Sequence, residues 1–381
     1  MNIVLVAGEA SGDQLGAALI RAMRLKEPDI QFAGIGGPLM KAEGCDCWWD
    51  TSVLSLMGLV EVISHLPRLI KLRRQLIERV VQLQPDVFIG IDAPDFNLGV
   101  EKRLKARGIP VIQYGSPTIW AWRSYRVKKI VKSTDRVLCL FPFEPDCYKN
   151  YPVAADYTGH PMADQIPLQV PNEPARKTLG VDSAGTCIAL LPGSRMAEVE
   201  KLSPAMLDAA DILSKRHPGT CFLIPAATQR IHQHLNSLLL ERQGLDCRIY
   251  DGQSKEVMAA ADVVICASGT ATLEVMLINR PMVVCYRVAT PTHRIMKWFK
   301  MVKIRFFALP NILAGESLVP ELIQDDVTGQ NIADKVNRWM DQPELLNELS
   351  HRFNQLHEIL RIDAAATTGD VVLRHIASCK A

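Results

Sequence analysis

Two carboxylates, Asp92 and Asp95, stand in Gly90-Ile91-Asp92-Ala93-Pro94-Asp95-Phe96-Asn97, directly after the apolar run Asp86–Ile91. A carboxylate at the carboxyl end of a buried strand loses hydration, its pKa rises, and it becomes suited to work as a general base. The competing use of such an Asp is to cap the helix that follows. The expectation is that one of the pair caps and the other does chemistry.

The second half offers two loops suited to phosphate. Leu191-Pro192-Gly193-Ser194-Arg195 ends an apolar run, and Arg195 there could grip a phosphate with two parallel hydrogen bonds. Ala267-Ser268-Gly269-Thr270-Ala271-Thr272-Leu273-Glu274 ends another. Ser268 reads as a helix N-cap, Gly269 lets a ligand approach the backbone, and the Ser268–Thr270 helix start presents N–H groups to an anion. Glu274, one to two turns on, could accept from ribose hydroxyls. Either loop alone is equally an ordinary tight turn; two of them at strand ends of one half point to a nucleotide. The P-loop string and a G-x-G-x-x-G after the first strand are both missing, which argues against a P-loop enzyme and a dinucleotide dehydrogenase. With no Asp-x-Asp pair to carry a divalent ion, a pyrophosphate would be held by helix ends and basic side chains, without metal.

Three further segments could line a site. Gly8-Glu9-Ala10-Ser11-Gly12-Asp13 is a small-residue turn in which Ser11, Gly12 and Asp13 could meet a ligand, or simply close a β–α turn. Ser116–Arg123 holds Trp120, Trp122 and Arg123, followed by Arg126, Lys128 and Lys129, and could stack on a sugar or hold an acceptor phosphate. Core tryptophans beside a solvated basic helix are the alternative. His160, in Gly159-His160-Pro161, reads as structural.

Two stretches suit a lipid surface. Leu59, Val62, Ile63, Leu66, Leu69, Ile70, Ile77 and Val80 form an apolar stripe flanked by Arg and Lys. From Val275 to Gly315 there is no acidic residue but seven Lys or Arg, with Lys297, Trp298, Phe299, Lys300, Lys303 and Arg305 at its centre. Basic amphipathic segments with aromatics lie in lipid interfaces; a core-facing helix with a basic outer face is the rival reading.

These residues need a frame to position them. The chain has 381 residues, 48% hydrophobic and 22% charged, with a net charge of +2. That composition is globular, long enough for two domains, and too weakly basic to argue for nucleic acid. Ten scattered cysteines without a C-x-x-C pair read as reduced, mostly buried thiols of a cytosolic protein. The apolar start Met1–Ala7 lacks a basic flank and reads as a strand, and no apolar stretch approaches the roughly 20 residues of a membrane-spanning helix.

Solid apolar runs alternate with helical patterns: Asn2–Ala7, Gln31–Ile35, Asp86–Ile91, Val111–Tyr114 and Arg136–Leu140 in the first half. Cys187–Leu191, Cys221–Pro225, Cys247–Tyr250, Val263–Cys266 and Met282–Tyr286 follow in the second. Such runs are parallel strands covered on both faces, and the alternation implies doubly wound sheets. The expected plan is α/β, with a Rossmann-like domain at 1–164, a Pro-rich linker at 165–175, a second Rossmann-like domain at 176–345, and a helical tail at 346–381 packing across both. In such a plan ligands sit beyond the carboxyl ends of the strands, in a cleft between the domains.

The strings Val6–Asp13, Gly90–Asn97, Trp120–Arg123, Leu190–Arg195, Ser268–Ala271 and Leu309-Pro310-Asn311-Ile312-Leu313-Ala314-Gly315, in this order, resemble the lipid A disaccharide synthases. The resemblance implies a GT-B fold and an inverting hexosyltransferase without metal or cofactor. The donor would be UDP-2,3-diacylglucosamine, the acceptor 2,3-diacylglucosamine 1-phosphate, and the products the β-1,6-linked disaccharide 1-phosphate and UDP. It implies Asp92 as the base, Arg195 and the Ser268-Gly269-Thr270 helix start as stabilisers of the departing pyrophosphate, Glu274 at the ribose and Asn311 in the donor site. It further implies a cytoplasmic enzyme held peripherally at the inner face of the inner membrane, and a family able to dimerise through its C-terminal region. A UDP-sugar 2-epimerase on the same fold and a non-catalytic lipid-binding protein are the other readings.

Overall fold

A strand shielded by helices on both faces has little polar side to show, which is why the central strands here are apolar at nearly every position. The structure, a computed structural model, describes residues 1–55, 62–119, 126–182, 185–242, 244–287 and 305–380. They form two compact units, Met1–Asp164 with Leu360–Ala381, and Gln165–Ile359.

The first unit carries a parallel sheet of β1 (Asn2–Ala7), β2 (Gln31–Gly36), β3 (Asp46–Asp50), β4 (Val87–Ile91), β5 (Val111–Tyr114), β6 (Arg136–Cys139) and β7 (Ala154–Tyr157), in the order β3-β2-β1-β4-β5-β6-β7. The chain winds one way from β1 to β3 and the other way from β4 to β7. The switch point lies between β1 and β4, where Ala7 pairs with Ile91. In sheets of this kind ligands bind where the loops leave in opposite directions.

The second unit repeats the plan with β8 (Cys187–Leu191), β9 (Cys221–Ala226), β10 (Cys247–Asp251), β11 (Val263–Ala267), β12 (Met282–Tyr286) and β13 (Glu321–Ile323), in the order β10-β9-β8-β11-β12-β13. Its switch point falls between β8 and β11, where Leu191 pairs with Cys266.

All ten strands expected from the sequence are present, each with its ends in place or one end shifted by a single residue. β3, β7 and β13 were not expected. Each is an edge strand, only partly buried, and carries polar residues such as Asp46, Asp156 and Glu321.

The stretch 165–175 belongs to the second unit and ends inside the helix Glu173–Leu179. The expected tail divides at residue 360. The helix Ala364–Lys380 packs Val371, Val372 and Ile376 into the first unit's core beside Leu19 and Met23. Lys380 pairs with Asp86 at 2.6 Å.

The apolar stripe expected at a lipid surface is partly core. In the helix Val62–Leu83, Leu72, Leu76, Ile77 and Val80 are buried against the sheet, while Ile70 is 56% exposed. Ile77 and Val80 therefore serve packing, because the same 3.6-residue period suits a sheet face and a bilayer equally. The side chains of Leu59, Val62, Ile63 and Leu66 lie outside the described residues. Among the described residues no helix is long and apolar enough to cross a membrane.

Candidate active site

At the first switch point, β4 ends in a turn of unusual backbone. Asp92 has φ 50° and Ala93 φ 41°. Two successive non-glycine residues in the left-handed region each cost on the order of 1–3 kcal/mol, and such strain persists only where neighbours enforce it. Here they do. The Asp92 N–H donates to the Tyr114 carbonyl at 2.8 Å. The Asp92 carbonyl accepts from Asn97 Nδ2 at 2.9 Å and Gln113 Nε2 at 3.2 Å. Gly8, after β1, presses on this turn: a Cβ there would lie 2.5 Å from the Ala93 Cβ.

The turn presents the Asp92 carboxylate to solvent, yet the protein around it removes much of its hydration. That burial raises its pKa first, and the like charge of Glu9 raises it further, against one hydrogen bond from the Ala93 N–H. Glu9 escaped the sequence reading, although it stands in the same Gly8–Asp13 string. Its position at the head of the helix Ala10–Lys26, across the switch point from Asp92, only the topology reveals.

Neither aspartate caps. The N-cap of the helix Pro94–Lys105 is Ala93, with no side-chain cap. Asp95 lies in the first turn, 77% exposed, and pairs with Arg126 at 3.0 Å. The strained turn has replaced the capping bond.

Of the three candidate contacts in Gly8–Asp13, Ser11 is exposed, as are its neighbours Glu9 and Ala10; Gly12 is buried against Ala7, at 3.3 Å for an added Cβ. Asp13 is 3% exposed and accepts from the N–H groups of Gly37, Leu39 and Met40 at 2.7, 2.9 and 3.1 Å. It caps the short helix Pro38–Ala42 and so is structural rather than a ligand contact. His160 is also structural: burial pulls its pKa down to about 4, and its Nδ1 accepts from the Met162 N–H at 3.2 Å. Trp120, Trp122 and Arg123 lie outside the described residues.

In the second unit the two expected phosphate loops leave neighbouring strands, β8 and β11, at the switch point. Gly193 has φ 122°, and a Cβ there would lie 2.6 Å from Glu198 Oε2, so both backbone and space call for glycine. Ser194 is exposed. Arg195 is the N-cap of the helix Met196–Arg216, 82% exposed, with its Nη1 3.4 Å from Glu198 Oε1. So long a contact in water leaves the guanidinium available to a stronger anion.

The helix Thr270–Leu277 begins at Gly269, φ 150°, and Gly269 and Thr270 are exposed. Ser268 does not cap it. Its Oγ donates instead to the Phe307 carbonyl at 3.0 Å, tying this loop to the segment before Leu309. Burial raises the pKa of half-buried Glu274, with Lys255 opposing.

Asn311 is 0% exposed and fully engaged. Its Nδ2 donates to the Val319 carbonyl at 2.9 Å and to Glu321 Oε1 at 2.8 Å, and its Oδ1 accepts from the N–H groups of Leu318 and Val319 at 2.8 and 2.9 Å. Glu321 also accepts from the N–H groups of Phe307 and Ala308. With its capacity spent on the protein, Asn311 shapes the loop behind Gly269 rather than offering a free group to a donor.

The lipid-A-disaccharide synthetase family model matches residues 3–367. The chain belongs to that family. It is 50% identical over 374 residues to the lipid-A-disaccharide synthase of Xanthomonas campestris pv. campestris (strain 8004), covering 97% of this chain and 85% of the relative. In fold it resembles a glycotransferase of kitacinnamycin, with a TM-score of 0.65 at 16% identity over 98% of both chains. It also resembles a putative UDP-N-acetylglucosamine 2-epimerase from Listeria monocytogenes, with a TM-score of 0.66 at 11% identity over 96% of this chain and 94% of the other. At such identities these likenesses speak for the GT-B fold alone. The family makes the chain a hexosyltransferase that joins two glucosamine units in lipid A synthesis, with a UDP-sugar and a lipid-sugar phosphate as its substrates. The 2-epimerase reading has no support beyond the shared fold.

Proposed function

We propose that Asp92 is the general base of an inverting transfer of 2,3-diacylglucosamine from its UDP derivative to 2,3-diacylglucosamine 1-phosphate. The carboxylate takes the proton of the acceptor 6-hydroxyl as that oxygen attacks the anomeric carbon. The bond from this carbon to the UDP oxygen breaks on the opposite face, and the disaccharide 1-phosphate leaves with a β-1,6 linkage. Arg195 and the helix start at Ser268-Gly269-Thr270 take up the charge that grows on the pyrophosphate. Gly193 and Ser194 let it approach the backbone, and Glu274 accepts from the ribose.

The observation that carries this reading is the strained turn at Asp92. Strained left-handed residues and carboxylates of raised pKa cluster at functional sites, and here both fall on one residue at a sheet switch point. The direct test is incubation with both acylated substrates and mass analysis for the disaccharide, comparing wild type with Asp92→Asn.

The same reading places the enzyme reversibly on the inner face of the inner membrane, where acylated substrates reside. The basic aromatic stretch supports it. Arg305 is exposed with its guanidinium 5.1 Å from the centre of the Phe306 ring; Lys297, Trp298, Phe299, Lys300 and Lys303 lie outside the described residues.

A further inference from the structure

Beneath the Asp92 turn lies a buried polar cluster that the transfer step does not use. Asn97 and Glu101 stand one helical turn apart on the helix Pro94–Lys105, and Gln113 lies on β5 in register with Gly90 of β4. All three are 0% exposed. Gly90 makes the room for them: a Cβ there would lie 2.2 Å from Glu101 Oε1 and 3.1 Å from Asn97 Cγ.

The neighbours dictate how the two amides point. Asn97 Nδ2 faces the carbonyls of Val6, Ile91 and Asp92 at 3.3, 3.3 and 2.9 Å. Gln113 Nε2 faces those of Asp92, Tyr114 and Gly115 at 3.2, 3.4 and 3.2 Å. An amide whose NH₂ meets carbonyls must turn its oxygen the other way. Asn97 Oδ1, Gln113 Oε1 and both Glu101 oxygens have no hydrogen-bond partner among the described residues. Glu101 Oε1 and the Asn97 amide both border the Cβ position of Gly90, with which Gln113 is in register, so unpartnered buried acceptors gather beside this point of β4. An ionised carboxylate there would be a buried charge with no hydrogen-bond donor among the described residues. A carboxylic acid supplies the missing hydrogen.

We propose that Glu101 is a positioning residue for the transfer site: held as the neutral acid, it donates its proton to the amide oxygen of Asn97 and so locks the amide that grips the Asp92 carbonyl. Burial, which pushes the Glu101 carboxyl well above the ordinary glutamate range against the pull of Lys129, agrees with this state. The link to turnover rests on the assignment of Asp92 as the base.

Infrared difference spectroscopy of wild type against Glu101→Gln at neutral pH tests the neutral acid directly. The carbonyl band of a protonated carboxylic acid should vanish in the variant, and an ionised carboxylate band in its place overturns the proposal. In turnover, Glu101→Gln keeps a neutral donor and should retain most of kcat. Glu101→Met, similar in length but without a donor, should lose on the order of 10–100-fold in kcat through misplacement of the base. Its UDP affinity should stay within about twofold, as expected when only the chemical step is affected. In an Asp92→Asn background, Glu101→Met should cost little more, because the turn it holds no longer carries a base. A Glu101→Gln enzyme as slow as Glu101→Met, or a normal kcat in folded Glu101→Met, overturns the proposal. Should Glu101→Met fail to fold, the infrared band decides. A normal kcat in Asp92→Asn alone would sink the assignment of Asp92, while the band and the glutamine variant still judge Glu101.

Discussion

A methyl group added at Gly8 would lie 2.5 Å from the Cβ of Ala93. Both carbons are fixed to backbone, so neither can rotate away. The loops after β1 and β4 are thus fitted to one another at the switch point, and the turn that presents Asp92 is held by a residue with no side chain. Gly8→Ala should push that turn aside, costing about 1–3 kcal/mol in stability, as overpacking does. Urea unfolding and kcat measured on one preparation check this. Unchanged values for both would mean that the two loops adjust freely.

Asp92→Asn should lower kcat by about 10²–10⁴-fold, the usual loss with a general base, with UDP binding intact. A folded variant with near-normal kcat would hand the role to another group.

The same residue sets a pH dependence. Burial and Glu9 raise the Asp92 pKa in the folded protein. The folded state therefore binds this proton more tightly than the unfolded chain. The stability it contributes is present at low pH and is lost as pH rises through the folded pKa. Asp92→Asn should accordingly be at least as stable as wild type at neutral pH, an advantage that shrinks as pH falls through the raised folded pKa and is gone below the ordinary aspartate pKa. The acid limb of kcat/KM should lie above that ordinary value, because the base works only when ionised. Thermal unfolding across pH and a kcat/KM profile read the two effects separately.

Arg195 is 82% exposed, so its loss should leave folding untouched. Arg195→Ala should weaken the grip on the leaving pyrophosphate by about 1.5–3 kcal/mol, the range for hydrogen bonds to charged groups. Calorimetric UDP titration and kcat/KM would show it; no change in either removes Arg195 from the site.

Asp13→Ala should do the reverse. It strands three N–H groups at the head of Pro38–Ala42, costing about 2–3 kcal/mol of stability. Ser11→Ala, at an exposed position, should leave stability unchanged. Equal stability of the two variants by urea unfolding would contradict the capping role.

Reversing Lys297, Lys300 and Lys303 to Glu should weaken binding to anionic vesicles, each charge counting for roughly 1 kcal/mol near such a surface. Turnover on vesicle-borne substrate should slow, while turnover on detergent-dispersed substrate should barely move. Wild-type protein that ignores anionic vesicles at low salt would end the docking idea.

The sequence by itself determined the two doubly wound halves, because a parallel strand buried on both faces is apolar throughout and stands out from its surroundings. It also marked the two loops proposed to hold phosphate and the Asp92 strand end, since glycine, arginine and aspartate directly after an apolar run are visible in the local sequence. The edge strands β3, β7 and β13 were hidden by their polar residues. What each loop residue does, only the tertiary structure decided. Asp13 meets N–H groups more than twenty positions away, and Asn97 reaches the Val6 carbonyl across 91. The helix Ala364–Lys380 returns to the first unit's core from the far end of the chain. Hydrophobic period is a local property that a strand or helix writes into its own residues. Whether a carboxylate caps, pairs or stays open for chemistry depends on the groups that folding brings within about 3 Å of it, and those come from elsewhere in the chain.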